Sequence, residues 1–405
     1  MKRERLLYVN GRVVLPDRVA EADVAVQDGC IHAITERQSG EPDLAGIDHN
    51  YCAEIIDLQG AYLLPGLIDI HCDAIEKEVQ PRPNTLFPRA MAFAEFERKL
   101  PLHGITTMYH SLSLGVGLSL RGDHLLTELV DHIRHIRAQR AFVRNRIHLR
   151  YEVSYLEGLP IVERYVREGL IDYLSFMDHS PGQGQYREPG SFERYVMKNQ
   201  GVDVVEVREI VRDLMERRSR IEWPILQQLA ALAKENGIAV ASHDDDSPER
   251  VEQFAAYGVS VSEFPLNLPA AERAAAKGMH VCVGAPNVVR GGSHDNNMSA
   301  IDAIQAGHAR VLCSDYHPSS LLMAVFKLAD EGAAALHEAV RMATHYPAEA
   351  LGVSGERGSI AEGLQADLIA VAVKDSIPIV TGTWVNGVQV YQSGYYHQAS
   401  PSAGR

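Results

Sequence analysis

Several common signatures are missing from this sequence, and each absence excludes a class. The cysteines Cys30, Cys52, Cys72, Cys282 and Cys313 are scattered, with no Cys-x-x-Cys pair. That argues against a zinc ribbon or a disulfide framework and suits a reducing cytoplasm. No window reaches the ~18 uninterrupted apolar residues of a membrane span. The opening MKRERLLYVNGRVV is charged but has no long apolar core, so no secretory signal is read. No G-x-x-x-x-G-K-[S/T] occurs, which excludes a P-loop motor NTPase. Basic charge is also scarce: 39 Lys and Arg face 53 Asp and Glu, a formal net charge of −14. Such a chain is a poor partner for nucleic acid or anionic membranes. If it binds phosphate, a local site must do so against the overall field.

What remains is a chain of 405 residues, 46% hydrophobic, able to bury a large core in one or two domains. Residues 1–61 read as short strands with turns, and Asn-Gly at 10–11 and Asp-Gly at 28–29 are hairpin signals. Residues 355–405 resemble them, again with Asn-Gly at 386–387. Both ends are expected to form one small β-sandwich domain, with its tail HQASPSAGR disordered.

The middle, 62–354, alternates short apolar strands with helical stretches. Eight candidate strands are Gly66–His71, Gly104–His110, Ile147–Ser154, Tyr173–His179, Ala239–Asp244, Val259–Phe264, His280–Ala285 and Val311–Asp315. Alternation implies a parallel sheet, and eight repeats imply a (β/α)8 barrel. The segment 180–238 is too long for an ordinary connection and is expected to make a helical excursion or lid.

In such a barrel, catalytic groups sit at the C-terminal ends of the strands. Those ends read IDIHCD, LRYEVS, SFMDHS, VASHDD and LCSDYH. Each carries a metal-capable side chain: His71 and Asp73, Glu152, His179, His243, Asp315. Residues i and i+2 of a strand share a face, so His71 and Asp73 can address one cation. Any one such residue is ordinarily a satisfied polar group or a helix cap. Five convergent ends, all with ligand-type residues, are far harder to obtain by accident. The set suits Zn²⁺, Mn²⁺ or Fe²⁺ better than Ca²⁺. Six ligands exceed one tetrahedral ion and fit two ions ~3.5–4 Å apart, with Glu152 bridging. Asp315 is also the candidate to take a proton from the attacking water. Asp178, Asp244, Asp245 and Asp246 read as supporting groups or caps, and His132 and His135 as solvated.

After the seventh strand comes GAPNVVRGGSH. Gly291 and Gly292 let backbone N–H groups approach an anion, with Arg290 forking onto it and His294 alongside. EKEVQPRP, after the first strand, offers Lys77 and Arg82 to the same mouth. The plain alternative is a glycine turn with surface cations.

LLPGLIDIH with its His-x-Asp, and GSIAEGLQADLIAV near the end, resemble the amidohydrolase superfamily of metal-dependent barrel hydrolases. HCDAIEKEVQPRP, MDHSPGQGQ, ASHDD, APNVVRGGSH and SDYHPSSLL narrow the likeness to the PhnM family of phosphonate metabolism. The resemblance covers nearly the whole chain. It implies an α-D-ribose 1-methylphosphonate 5-triphosphate diphosphatase of the carbon–phosphorus lyase pathway, with two divalent ions held by His71, Asp73, Glu152, His179, His243 and Asp315. The usual superfamily pattern has His-x-His on the first strand and often a carboxylated lysine bridge, from which this chain departs.

Two competing readings stand beside that one. A hydrolase of a cyclic amide or amine, dihydroorotase-like or deaminase-like, would use the same centre on carbon. The cationic contacts at Lys77, Arg82 and Arg290 favour a phosphorylated small molecule instead. A non-catalytic barrel would need ligands to be missing. A homo-oligomer is compatible with the sequence.

Overall fold

The computed structural model describes residues 5–37, 54–82, 85–115, 123–187, 190–200, 203–293 and 297–394. The expected tail, 397–405, lies outside them, as does His294. Two eight-stranded sheets organise the chain.

The first sheet takes strands from both ends: β1 (Arg5–Val14), β2 (Val19–Gln27), β3 (Cys30–Glu36), β4 (Glu54–Asp57) and β5 (Tyr62–Pro65), then β14 (Leu368–Lys374), β15 (Ile377–Val385) and β16 (Val388–Gln392). The ladder runs β16-β15-β14-β5-β1-β2-β3, with β4 also beside β1. Hydrogen bonds thus link all eight strands, and β5 carries this sheet past residue 61. Asp28 and Gly29 both have positive φ between β2 and β3, as do Asn386 and Gly387 between β15 and β16, which is what a type I′ hairpin turn requires. Asn10-Gly11 does not turn the chain. It lies inside β1, where the register to β2 shifts between Tyr8 and Gly11, so the expected hairpin is a bulge. A separate core of Leu6, Tyr8, Val24, Ile31, Leu63 and Trp384 fills this domain.

The second sheet is the barrel: β6 (Leu67–Cys72), β7 (Ile105–Leu114), β8 (Arg144–Glu152), β9 (Tyr173–Met177), β10 (Ala239–His243), β11 (Val261–Glu263), β12 (His280–Gly284) and β13 (Val311–Cys313). All neighbours are parallel and in sequence order. Asp315 N donates to His71 O and Asp73 N to Asp315 O, each at 2.8–2.9 Å, so the last strand closes on the first. Buried Asp69 reinforces that seam, accepting from Ser314 N at 3.0 Å. Gly66, where the chain passes from one sheet to the other, admits no side chain: a Cβ would stand 2.2 Å from Thr106 Oγ1.

The segment 180–238 divides in two. Helix Trp223–Glu235 buries Leu226, Leu229, Ala230 and Ala233 in the main core, as an ordinary crossover helix does. Helices Ser191–Gln200 and Val204–Ser219 instead share a small core of Phe192, Val196 and Val207. Arg218 ties the second of them to Asp178, beyond β9, at 3.1 Å. No helix among the described residues is long and apolar enough to cross a membrane.

Candidate active site

Parity within the strands decides what faces the barrel axis. On β8, His148, Arg150 and Glu152 share one face. Their partners confirm it: His148 Nε2 meets Ser175 of β9, and Arg150 reaches Asp73 and His243. The opposite parity points outward. His110 of β7 packs against Phe93 and Phe96 and bonds Asn145, away from the axis.

The first-strand and fifth-strand histidines stack, with the rings of His71 and His243 5.3 Å apart. The rings of His243 and His179 are 5.7 Å apart. Nε2 of both His179 and His243 lies 3.8 Å from Asp244 Oδ2. These three residues offer ligand atoms within 4.8 Å of one another. Two imidazole nitrogens and a carboxylate oxygen form a donor set that fits a transition-metal dication.

Glu152 sits differently from the expected bridge. Its Oε2 is 3.0 Å from His179 Nδ1, and its Oε1 accepts from the His179 amide at 3.0 Å. It therefore addresses the ring nitrogen opposite the one near Asp244 and fixes that ring's orientation. The count of strands explains the arrangement: Glu152 ends the third and His179 follows the fourth.

A second layer lies beneath. Glu263, at the end of β11 and fully buried, is 3.1 Å from His71 Nδ1 and 3.3 Å from His243 Nδ1. It accepts from Tyr173 Oη at 2.9 Å and Ser175 Oγ at 2.8 Å. Burial pushes its carboxyl upward, but His71, His148 and His243 outweigh burial and hold it well below the usual range. Two of the site's histidines thus turn Nδ1 to one carboxylate, and of these His243 lines the cavity. His71 Nε2 is buried without a hydrogen-bond partner.

Three strand-end residues, Asp244, Phe264 and Asp315, have φ of 56°, 55° and 58°. Each still donates its amide to the neighbouring strand or, for Asp315, to His71. Left-handed backbone at a bulky residue such as Phe264 costs on the order of 1–3 kcal/mol, and such strain clusters at functional sites.

A cavity of about 380 Å³ opens over these groups, lined among others by Asp73, Arg150, His179, His243, Asp244 and Asp315. Burial, and then the charge of Asp73, raise the Asp315 carboxyl to about 7. Lys77, over the Tyr316 ring at 5.0 Å, also lines the cavity, with Arg290 and Gly292. Gly291 is the left-handed residue ending helix Ala285–Arg290, so its backbone requirement is a helix stop. Arg82 is exposed in a local bridge to Thr85 and does not line the cavity.

Sequence reasoning passed over three of these residues. Asp244 read as a supporting group or a cap, but it faces both histidines. Glu263 read as the interior of an apolar strand. Arg150 was found by neither motif nor charge, although its i, i+2 relation to Glu152 was the available signal. Asp178 does support the site's surroundings, accepting from Arg218 and Arg250. Asp245 is buried and accepts from Ser242 and Ser262.

The amidohydrolase family profile matches residues 219–391. Across 391 residues, 95% of this chain and 100% of the other, the sequence is 33% identical to the α-D-ribose 1-methylphosphonate 5-triphosphate diphosphatase of Escherichia coli (strain K12). Among solved structures, the N-acetylglucosamine-6-phosphate deacetylase of Pasteurella multocida superposes with a TM-score of 0.61 at 15% identity, covering 95% of this chain and 99% of that one. The ochratoxinase of A. niger gives 0.65 at 14%, covering 96% of each. At such identities these two speak for the fold. The chain belongs to the amidohydrolase superfamily and, within it, to the PhnM family of phosphonate metabolism.

Proposed function

We propose that this chain hydrolyses α-D-ribose 1-methylphosphonate 5-triphosphate to the 5-phosphate and pyrophosphate. The observation that carries the reading is the full-length likeness to the Escherichia coli diphosphatase. A mouth in which Lys77 and Arg290 stand over a carboxylate–histidine floor accords with it.

His179, His243 and Asp244 would hold a divalent ion, zinc by the character of the donors, with Glu152 orienting His179 and Glu263 orienting His243. Asp73 and Asp315 complete the rim, with His71 buried beneath it. Such an ion supplies Lewis acidity, which lets water act at neutral pH. Water adds to the phosphorus nearest ribose, and the P–O bond to the next phosphorus breaks. Asp315 accepts the water's proton; the Arg150 guanidinium works against the burial that raises its carboxyl and so favours the ionised form. Lys77, Arg290 and the Gly292 amide bind the departing phosphates, whose charge must be met locally in a chain of −14. The thiols of Cys72, Cys282 and Cys313, buried and unpaired, suit a cytoplasmic setting.

Phosphorus NMR of the zinc-loaded protein with the ribose triphosphate tests the reading. Pyrophosphate and a 5-phosphate should appear together. Orthophosphate release, or inertness toward the triphosphate with turnover of a cyclic amide, would contradict it.

A further inference from the structure

We propose that the guanidinium of Arg150 occupies the place of a second metal ion, so that the chain holds a single divalent cation. Arg150 points inward from β8 and is 6% exposed. Its Nη1 donates to Asp73 Oδ2 at 3.2 Å, and its Nη2 lies 3.4 Å from His243 Nε2. Its Nε is buried with no hydrogen-bond partner, and the side chain lines the cavity. The positive group therefore stands against Asp73, a residue that a binuclear centre would need as a ligand, and beside His243.

The ligand atoms sort accordingly. His179, His243 and Asp244 cluster on one side. On the other, Asp73 is engaged by the guanidinium. Among the described residues, neither Asp73 nor Asp315 belongs to a group of three potential ligands at metal-site spacing. One further trio, His71, His148 and Glu263, does meet that spacing. It is a buried layer in which His148 and Glu263 already have partners. His148 lies between the hydroxyls of Ser111 at 2.9 Å and Ser175 at 2.5 Å, and Glu263 accepts from Tyr173 and Ser175. An ion there would have to displace those contacts.

Arginine cannot shed its charge to make room for a nearby dication. The site thus combines one ion with one permanent cation. Resting on the triphosphate reading above, the planar fork would meet two oxygens of the phosphoryl group under attack, exchanging no proton and holding the charge that develops.

The protein is loaded with excess Zn²⁺, desalted, and its zinc measured per chain by plasma mass spectrometry. One ion per chain is expected; two would overturn the inference. Arg150→Met, checked for folding by circular dichroism, should bind one ion at least as tightly and lose about 100-fold or more of triphosphate turnover. Arg150→Lys should recover part of that loss. An Arg150→Met variant with wild-type turnover would overturn the charge role, and the wild-type zinc count stands even if that variant does not fold. The two readings fail separately. Pyrophosphate release with two ions bound sinks only this inference. One ion without triphosphate cleavage sinks only the function.

Discussion

The molecule contains two sheets of eight strands, and they are put to opposite uses. In the small sheet, neighbouring strands meet at tight turns, where Asp28-Gly29, Asp375-Ser376 and Asn386-Gly387 adopt positive φ. Turn residues there are fixed by backbone geometry, and the hairpins point in alternating directions. In the barrel every strand runs the same way, so all eight C-terminal ends meet at one rim. A polar residue placed just past each end disturbs no ladder and joins the others without further design. Parallel order is what lets side chains as distant along the chain as His71, His179 and His243 lie within one ring contact of the next.

If chemistry resides at the barrel rim and support in the small sheet, substitutions should separate them. The largest effect is expected from His243→Ala. Zinc binding should fail and turnover fall by about a thousandfold or more, with the urea midpoint little changed. Next comes Trp384→Ala in the small sheet. Trp384 is 3% exposed, packs edge-on against Tyr8 at 5.1 Å and covers Gly382. Its loss should cost about 3–5 kcal/mol in urea unfolding, while the fraction still folded keeps its zinc. Loss of zinc from that folded fraction would break the division between the sheets.

A smaller effect concerns the barrel's outer face. Burial holds His110 down at about 4, despite its bond to Asn145. In the unfolded chain a histidine titrates near ~6.5. Between those values the unfolded state binds a proton that the native state refuses, so stability is full above pH ~6.5 and falls by about 1.4 kcal/mol per pH unit toward pH ~4. His110→Gln should flatten the pH dependence of the urea midpoint in that window by one proton; parallel curves would refute the assignment. The smallest effect lies outside both sheets. Glu216→Gln, breaking an exposed helical pair with Arg220, should shift stability by less than ~0.5 kcal/mol and leave turnover unchanged.

The barrel was legible because buried parallel strands read as short apolar runs, and all eight candidate runs contain or overlap a barrel strand. The end residues His71, His179 and His243 were legible because a histidine closing such a run breaks its pattern. Asn10-Gly11 misled because a bulge needs the same left-handed residue as a turn. Glu263 was hidden in VSEF, a strand of three residues too short to show alternation. Arg150 was hidden by its type, since an arginine within a strand ordinarily points to solvent. Applying to β8 the parity rule that paired His71 with Asp73 would have brought it inward beside Glu152. Asp244 follows the strand directly, where a helix cap and a ligand look alike in sequence.

The central claim is that water, activated at the barrel rim, attacks the phosphorus nearest ribose. Turnover of the triphosphate in ¹⁸O-labelled water, followed by mass spectrometry of both products, tests it most directly. The account predicts one labelled oxygen in the 5-phosphate of the ribose 1-methylphosphonate product and none in pyrophosphate. Label in the pyrophosphate would contradict it.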